Sequence, residues 1–199
     1  MGTIQKFLKG VLILAVIMHL NSCRKGEDKN TEPIANQFKT FRITRGQHYS
    51  DNATYKPLSG LKSMLFTAIF DSTAIYYTAS PQNQSDINKL YGFADNNQTH
   101  HAFSARIGWR WISNKLELLG YVYNDSLASF SPIGYFPLNT ELQCKIEISN
   151  SRYLISVNSN TITMPRSSQG ITATGYQLYP YFGGDETAPH DIYIQIRDN

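Results

Sequence analysis

The side chains of this protein that are best suited to chemistry are concentrated in residues 100–123, which read HHAFSARIGWRWISNKLELLGYVY. The imidazole, guanidinium and phenol groups there belong to His100, Arg106, Arg110, Tyr121 and Tyr123. A guanidinium group can bind a carboxylate through two parallel hydrogen bonds. An imidazole or a phenol can act as a general base when it lies beside the proton that it removes. These groups indicate a candidate site for binding an anionic ligand or for acid–base chemistry.

The same stretch has the two-residue periodicity of β-strands, and this periodicity decides which side chains share a face. One face of the first strand holds Ala105, Ile107, Trp109 and Trp111, and the other holds Ser104, Arg106, Gly108 and Arg110. After a polar turn at residues 112–114 the alternation resumes, which indicates a hairpin partner. The second strand places Glu117, Leu119, Tyr121 and Tyr123 on one face. The hairpin is therefore predicted to carry two arginines and two tyrosines as its ligand-binding face.

Each of these groups also has a purely structural interpretation. Trp109 and Trp111 share a face with small and aliphatic residues, so we expect them in the core rather than in a sugar platform. Either arginine can pair with Glu117 across the hairpin, and we expect one arginine to be paired and the other exposed. His100 and His101 are adjacent, so in an extended segment they point to opposite sides and do not ligate one metal together. We expect a loop there, with one histidine hydrogen-bonded to the backbone.

Residues 1–22 have the layout of a secretory signal peptide, with Lys6 and Lys9 followed by an unbroken apolar run of eight residues. That run is much shorter than the roughly 20 residues that span a bilayer. The segment ends in Leu-Asn-Ser-Cys at residues 20–23, which resembles a bacterial lipoprotein signal. The resemblance implies that Cys23 becomes the lipidated first residue of the mature chain. We therefore expect a membrane anchor made of acyl chains, with no spanning helix.

Residues 23–37 are charged and nearly free of large apolar side chains, which is typical of a flexible tether. Lys25, Glu27 and Asp28 resemble the signals that send some Bacteroidota lipoproteins to the outer face of the outer membrane. A solvated spacer without an address is the alternative. The expected location is the bacterial cell envelope, on the periplasmic or surface side of the outer membrane.

If Cys23 is acylated, Cys144 is the one remaining thiol, so no intramolecular disulfide is expected. Cys144 alternates with Leu142, Ile146 and Ile148, which indicates a small buried apolar group rather than a catalytic thiol. The mature chain of 177 residues (199 minus 22) is long enough to be held together by its core alone.

Residues 38–199 contain short alternating runs separated by polar turns and no long helical pattern. Eleven strands are predicted, at residues 38–44, 62–70, 73–78, 89–93, 104–112, 115–123, 141–149, 152–158, 161–164, 176–182 and 191–197. Turns at residues 150–151 and 159–160 predict a three-stranded meander. The sequence thus predicts a single all-β domain, an antiparallel sandwich of two sheets.

The charges of the mature chain nearly cancel, with sixteen Lys and Arg (18 minus two in the signal) against fifteen Asp and Glu. No run of basic residues follows the tether, so a nucleic-acid partner is not expected. Thirteen Tyr, ten Phe and many amide and hydroxyl side chains suit the apolar faces and polar edges of sugars. A sandwich that uses aromatic residues merely because they suit half-buried strands is the alternative.

The last two predicted strands and the Gly-Gly turn between them, in residues 176–197, resemble jelly-roll domains of the concanavalin A-like lectin and glucanase group. The resemblance covers most of residues 38–199 and implies saccharide binding on the concave sheet or at its rim. The group contains binding modules, glycoside hydrolases and polysaccharide lyases, so the fold alone does not choose an activity. Some members bind calcium near their termini, and here Asp185, Glu186 and Asp191 offer oxygen ligands for a structural Ca²⁺ site. No other cofactor is expected.

The motifs of the two enzyme classes are incomplete. Retaining glycosidases need two carboxylates about 5 Å apart, and Glu117 has no acidic companion two or four residues away. The Tyr, Lys and Gln motif of jelly-roll alginate lyases is missing. We therefore predict an envelope-anchored, non-catalytic glycan-binding module. The alternatives are a lyase acting on uronate polymers and a structural envelope protein without a ligand.

Overall fold

A computed structural model describes residues 37–168 and 170–199, so Cys23 and nearly all of the predicted tether lie outside the described residues. Two six-stranded antiparallel sheets make up the fold. The first sheet has the strand order β1 (Lys39–Ile43), β12 (Ile192–Asp198), β3 (Ser63–Phe70), β8 (Leu142–Ser149), β9 (Arg152–Val157) and β10 (Asn160–Pro165). The second has the order β2 (Pro57–Leu61), β11 (Ala173–Leu178), β4 (Asn88–Ala94), β5 (Ser104–Ile112), β6 (Lys115–Asn124) and β7 (Leu127–Phe136). No helix among the described residues is long and apolar enough to cross a membrane.

The core lies between the two sheets and follows the alternation of the sequence. Strand β12 buries Ile192, Ile194 and Ile196 against the second sheet and leaves the residues between them partly or fully exposed. Strand β5 buries Trp109 completely, and its ring packs 5.2 Å from the ring of Phe70 on β3. Trp111 is also buried, which confirms that both tryptophans belong to the core.

Cys144 is a buried core residue, as predicted. Burial raises the pKa of its thiol far above the ordinary value, because the charged thiolate would lose its solvation. The thiol is therefore protonated and unreactive at neutral pH.

Three two-residue turns close the predicted hairpins. The turn between β5 and β6 consists of Ser113 and Asn114, both at positive φ, as a tight hairpin turn requires. The meander formed by β8, β9 and β10 is confirmed, with one turn at residues 150–151. The next turn is formed by residues 158–159 rather than 159–160, and Asn158 takes the positive φ that asparagine tolerates well.

Apart from one-residue shifts at strand ends, the predicted strands differ from the structure in four places. Residues 73–78 were predicted as a strand, but Ser72–Ala74 form a 3₁₀ turn because the Asp71 carboxylate accepts hydrogen bonds from Thr73. Strands β2 and β7 were not predicted, since both lie at sheet edges where exposed residues, proline and glycine weaken the alternation. Strand β11 begins and ends earlier than the predicted range of residues 176–182.

Candidate ligand-binding site

A cavity of about 310 Å³ lies on the face of the second sheet that is turned away from the core. Strand β5 shows this most directly, because Arg106 alternates with the core residues Ala105 and Ile107 and points into the cavity. The residues lining the cavity are Tyr49, Ser50, Ala53, Lys89, His100, His101, Arg106, Tyr121, Tyr123, Gln177, Leu178, Tyr179, Pro180 and Tyr181. Four of the five predicted ligand-binding residues are thus brought together, and none of the described lining residues carries a carboxylate.

Arg106 occupies the centre of this surface and is only 6% exposed. It lies opposite Tyr121 of β6 and Gly92 of β4. Its Nε is buried and has no hydrogen-bond partner among the described residues. Burial lowers the pKa of the guanidinium to about 10, while the nearby Tyr121 hydroxyl acts in the opposite direction. The group still carries its charge at neutral pH, so a buried cation is aimed into the cavity.

Lys89 of β4 is a second cation on the same wall. Its Nζ donates to the Ile87 carbonyl oxygen at 2.7 Å and lies 4.5 Å from the centre of the Tyr121 ring. Burial, followed by the charge of Arg106, lowers the pKa of Lys89 to about 8. The cavity therefore holds two neighbouring positive charges at pH 7, which favours an anionic ligand.

His100 lies in the loop between β4 and β5. Its Nδ1 is 3.0 Å from the Tyr176 hydroxyl oxygen, and its backbone N–H donates to the same oxygen at 3.1 Å. The ring partner is thus a tyrosine of β11 rather than the backbone group expected from the sequence. Burial, followed by the charge of Arg106, lowers the pKa of His100 to about 4. The imidazole is neutral at pH 7.

The two histidines lie in a loop, as predicted, and their rings lie side by side. Their centres are 4.2 Å apart, because residues 100–102 form a turn and not an extended segment. The His101 ring in turn lies 5.4 Å from that of Tyr123.

Tyr121 and Tyr123 complete the wall on β6. Their ring centres are 5.8 Å apart and the rings are nearly perpendicular, so a flat ligand can contact one ring face and the edge of the next. Burial raises the pKa of the Tyr121 phenol, as does a hydrogen bond with Tyr123. The Tyr121 hydroxyl therefore keeps its proton at neutral pH.

Arg110, the fifth predicted residue, does not line the cavity. Its Nε donates to the Glu117 carboxylate at 2.6 Å, and its Nη1 donates to the Ser85 carbonyl oxygen at 2.7 Å. The structural pairing across the hairpin thus belongs to Arg110. Arg106 is the arginine without an acidic partner, but it is buried in the cavity and not exposed as predicted.

Several cavity residues were missed by the sequence analysis. Lys89 sits beside a register irregularity between residues 89 and 91, so β4 has no clean alternation that would assign the lysine to a face. Tyr181 pairs with Lys89 through isolated backbone bridges outside the named strands. Both positions depend on β4 lying between β11 and β5, which no local pattern indicates.

Two of the three predicted calcium ligands, Asp191 and Glu186, are engaged with the protein itself. Asp191 accepts a hydrogen bond from the backbone N–H of Arg45 at 2.8 Å. Glu186 accepts from the backbone N–H groups of Ala79 and Ser80. Within residues 37–168 and 170–199 no group of three or more His, Cys, Asp or Glu could hold a metal ion. The calcium site at Asp185 and Asp191 remains a prediction without structural support.

Comparison with known proteins identifies the fold. No family model matches the sequence, and no curated protein matches it. Among solved structures, alginate lyase AlyC3 aligns with a TM-score of 0.54 at 9% identity, over 80% of this chain and 72% of that one. SCLam, a non-specific endo-β-1,3(4)-glucanase from family GH16, aligns with a TM-score of 0.53 at 9% identity, over 82% of this chain and 70% of that one. At such low identity the likeness concerns the fold alone. The described part of the chain is an all-β, concanavalin A-like jelly roll. This confirms the all-β sandwich predicted from the strand pattern and the jelly roll that the resemblance implied.

Proposed function

We propose that this protein is a lipid-anchored envelope protein whose jelly roll binds an acidic polysaccharide in the cavity around Arg106 without cleaving it. The observation that carries the proposal is the buried guanidinium of Arg106, whose Nε lacks a hydrogen-bond partner among the described residues, in a cavity whose described lining includes no carboxylate. A buried charge without a partner costs several kcal/mol. A ligand carboxylate would offset that cost and could bind the guanidinium through two hydrogen bonds.

The other walls of the cavity suit the rest of a sugar. The rings of Tyr121 and Tyr123 offer apolar surface to sugar CH groups, and their hydroxyls can bond to sugar hydroxyls. Lys89 supplies a second positive charge. The similar fold of AlyC3 has been solved in complex with dimannuronate, an acidic disaccharide, at a TM-score of 0.54 and 12% identity. That likeness agrees with an acidic ligand but does not identify it.

Binding without cleavage is preferred because the cavity does not contain the groups of a glycosidase. A retaining glycosidase needs two carboxylates about 5 Å apart, and the described residues that line the cavity include no acid. A lyase is the second candidate, since His100 is neutral at pH 7 and lies in the same cavity as Arg106. In that reaction His100 would remove the C5 proton of the uronate while Arg106 neutralises its carboxylate. A C4=C5 double bond would form, the C4–O bond to the neighbouring sugar would break, and the leaving oxygen would take up a proton.

A retention assay separates these possibilities. The protein is run through native gels that contain alginate, polygalacturonate, hyaluronate or neutral glucans, and the same mixtures are read for new ultraviolet absorbance from unsaturated sugar ends. We expect retention by at least one acidic polymer, no retention by the neutral glucans and no new absorbance. Unsaturated products would establish the lyase, whereas no retention on any polymer would favour a structural role.

The variant Arg106→Gln tests the site itself. Its affinity for the retained polymer should fall by about 100-fold or more, because a charge-assisted bidentate contact is removed. The control Arg152→Gln changes the net charge equally at an exposed position on β9 of the other sheet and should retain binding. Equal weakening in both variants would mean that retention reflects overall charge, and the cavity would not be the site.

The lipid anchor is tested separately. Replacing Cys23 with Ala should move the protein from the membrane fraction to the soluble periplasmic fraction, because the acylated residue is lost. A variant that stays in the membrane fraction as completely as the parent would contradict the anchor.

A further inference from the structure

One row of positions crosses the second sheet through Arg106. Backbone pairing places Leu178 opposite Gly92, Gly92 opposite Arg106, Arg106 opposite Tyr121, and Tyr121 opposite Phe130. Residues opposite each other in a sheet present their side chains on the same face. The row therefore runs across strands β11, β4, β5, β6 and β7 on the cavity side of the sheet.

Phe130 stands at one end of this row and lies beyond the cavity. It belongs to the edge strand β7, is 56% exposed and lies opposite Tyr121 of β6. A large apolar ring in such a position exposes surface that a ligand in the cavity could cover.

Tyr55 stands near the opposite edge of the sheet. It precedes β2 by two residues and is 79% exposed, with its ring centre 5.9 Å from that of Tyr176 on β11. The backbone N–H of Gln177 donates to the Lys56 carbonyl oxygen, which fixes this segment beside β11. An exposed aromatic ring thus lies at each edge of the sheet, with the buried cation between them.

We infer that Tyr55 and Phe130 are terminal stacking platforms for a polysaccharide that crosses the strands and is held at its middle by Arg106. This inference rests on the proposed function. Six strands span about 24 Å from edge to edge, so the ligand is an internal segment several sugar units long rather than a chain end. The platforms make affinity depend on length, because only a long segment covers both rings and buries their apolar surface.

The test compares binding of di-, tetra-, hexa- and octasaccharides of alginate, polygalacturonate and hyaluronate by titration calorimetry. For the retained polymer, affinity should rise with length and then level off. Phe130→Ala and Tyr55→Ala should each weaken octasaccharide binding by about tenfold. Both variants should leave disaccharide binding unchanged, since a disaccharide fills only the cavity.

Two exposed tyrosines outside the row serve as matched controls. Tyr135 is on the same strand as Phe130 and is 54% exposed, but it lies opposite Glu117. Tyr77 is 66% exposed, and its hydroxyl donates to Asn114 at the tip of the β5–β6 hairpin. Tyr135→Ala and Tyr77→Ala should bind every oligosaccharide as the parent does.

The outcomes separate the inference from the function on which it rests. Affinity that does not depend on length, or equal losses in the row and control variants, would overturn the platforms while leaving glycan binding intact. Equal weakening of the disaccharide and the octasaccharide by Phe130→Ala would do the same. If no oligosaccharide or polymer of the three binds, the proposed function fails and the inference fails with it.

Discussion

The two ends of the β5–β6 hairpin use the same kind of side chain in opposite ways. Arg106 and Arg110 lie four residues apart on one face of β5, and each faces a residue of β6. Arg110 faces Glu117 and forms a 2.6 Å ion pair, which closes its end of the hairpin. Arg106 faces Tyr121, and its Nε has no partner.

The difference shows how a sheet can combine a structural pair and a binding group on one surface. At the paired end the charges of arginine and glutamate satisfy each other, so little attraction for a ligand remains. At the open end the neighbours of Arg106 are phenols, an imidazole and Lys89, which do not neutralise its charge. The pairing of one arginine therefore leaves the other as the candidate ligand-binding group.

The largest expected effect on stability comes from breaking the Arg110–Glu117 ion pair. Glu117→Ala should lower the free energy of unfolding by about 3 kcal/mol, because it leaves the mostly buried Arg110 without its partner. Urea denaturation measures the change. The control Glu147→Ala removes the partner of Lys145 in a pair that is more than 40% exposed, and it should cost less than about 1 kcal/mol. Similar losses in both variants would mean that the Arg110–Glu117 pair does not behave as a buried ion pair.

Substitution of Arg106 should change the free energy of unfolding in the opposite direction. In the absence of ligand, Arg106→Met should leave the free energy of unfolding unchanged or raise it by about 1 kcal/mol. The substitution replaces an uncompensated buried charge with an apolar chain. The same urea series measures this variant. A loss as large as that of Glu117→Ala would contradict the comparison, since Arg106 would then be a structural residue.

A smaller effect, on the affinity for an acidic polymer, is expected from pH because Lys89 titrates. With a pKa of about 8, Lys89 is charged at pH 7 and loses its proton as the pH rises to 9, whereas Arg106, with a pKa of about 10, stays mostly charged. Affinity for an acidic polymer should therefore fall about fivefold from pH 7 to pH 9. Lys89→Met should bind more weakly at pH 7 and show a flat profile over this range. An unchanged profile in Lys89→Met would exclude Lys89 as the titrating group.

The lowered pKa of Lys89 also makes the stability of the folded protein depend on pH. The pKa of Lys89 is lower in the folded protein than the ordinary value of 10.5, so the unfolded chain binds more protons between pH 8 and 10.5. The charged lysine thus costs stability below pH 8, and this cost disappears as the pH rises through that window. In the absence of ligand, Lys89→Met should remove this contribution to the pH dependence of unfolding.

Much of the fold and part of the site could be predicted because the signals are local. The alternation from Ala105 to Trp111 placed both tryptophans in the core, and Ser113 and Asn114 closed the hairpin as expected. The edge strands β2 and β7 were not predicted because an edge strand pairs with a neighbour on one side only. Most of their residues are exposed or half-buried, which leaves no clear apolar pattern.

The sequence by itself determined the sandwich, the central hairpin and the face on which Arg106, Tyr121 and Tyr123 lie, because a period of two residues is a property of the strand alone. The register of the same hairpin places Arg110 opposite Glu117 and Arg106 opposite Tyr121. Only the tertiary structure decided what surrounds Arg106. Those surroundings depend on residues distant in sequence, namely Lys89 on β4, Tyr176 on β11 and the turn that brings His100 and His101 together. Their position beside Arg106 follows from strand order and loop geometry, and these are set by packing across the whole domain rather than by any local pattern.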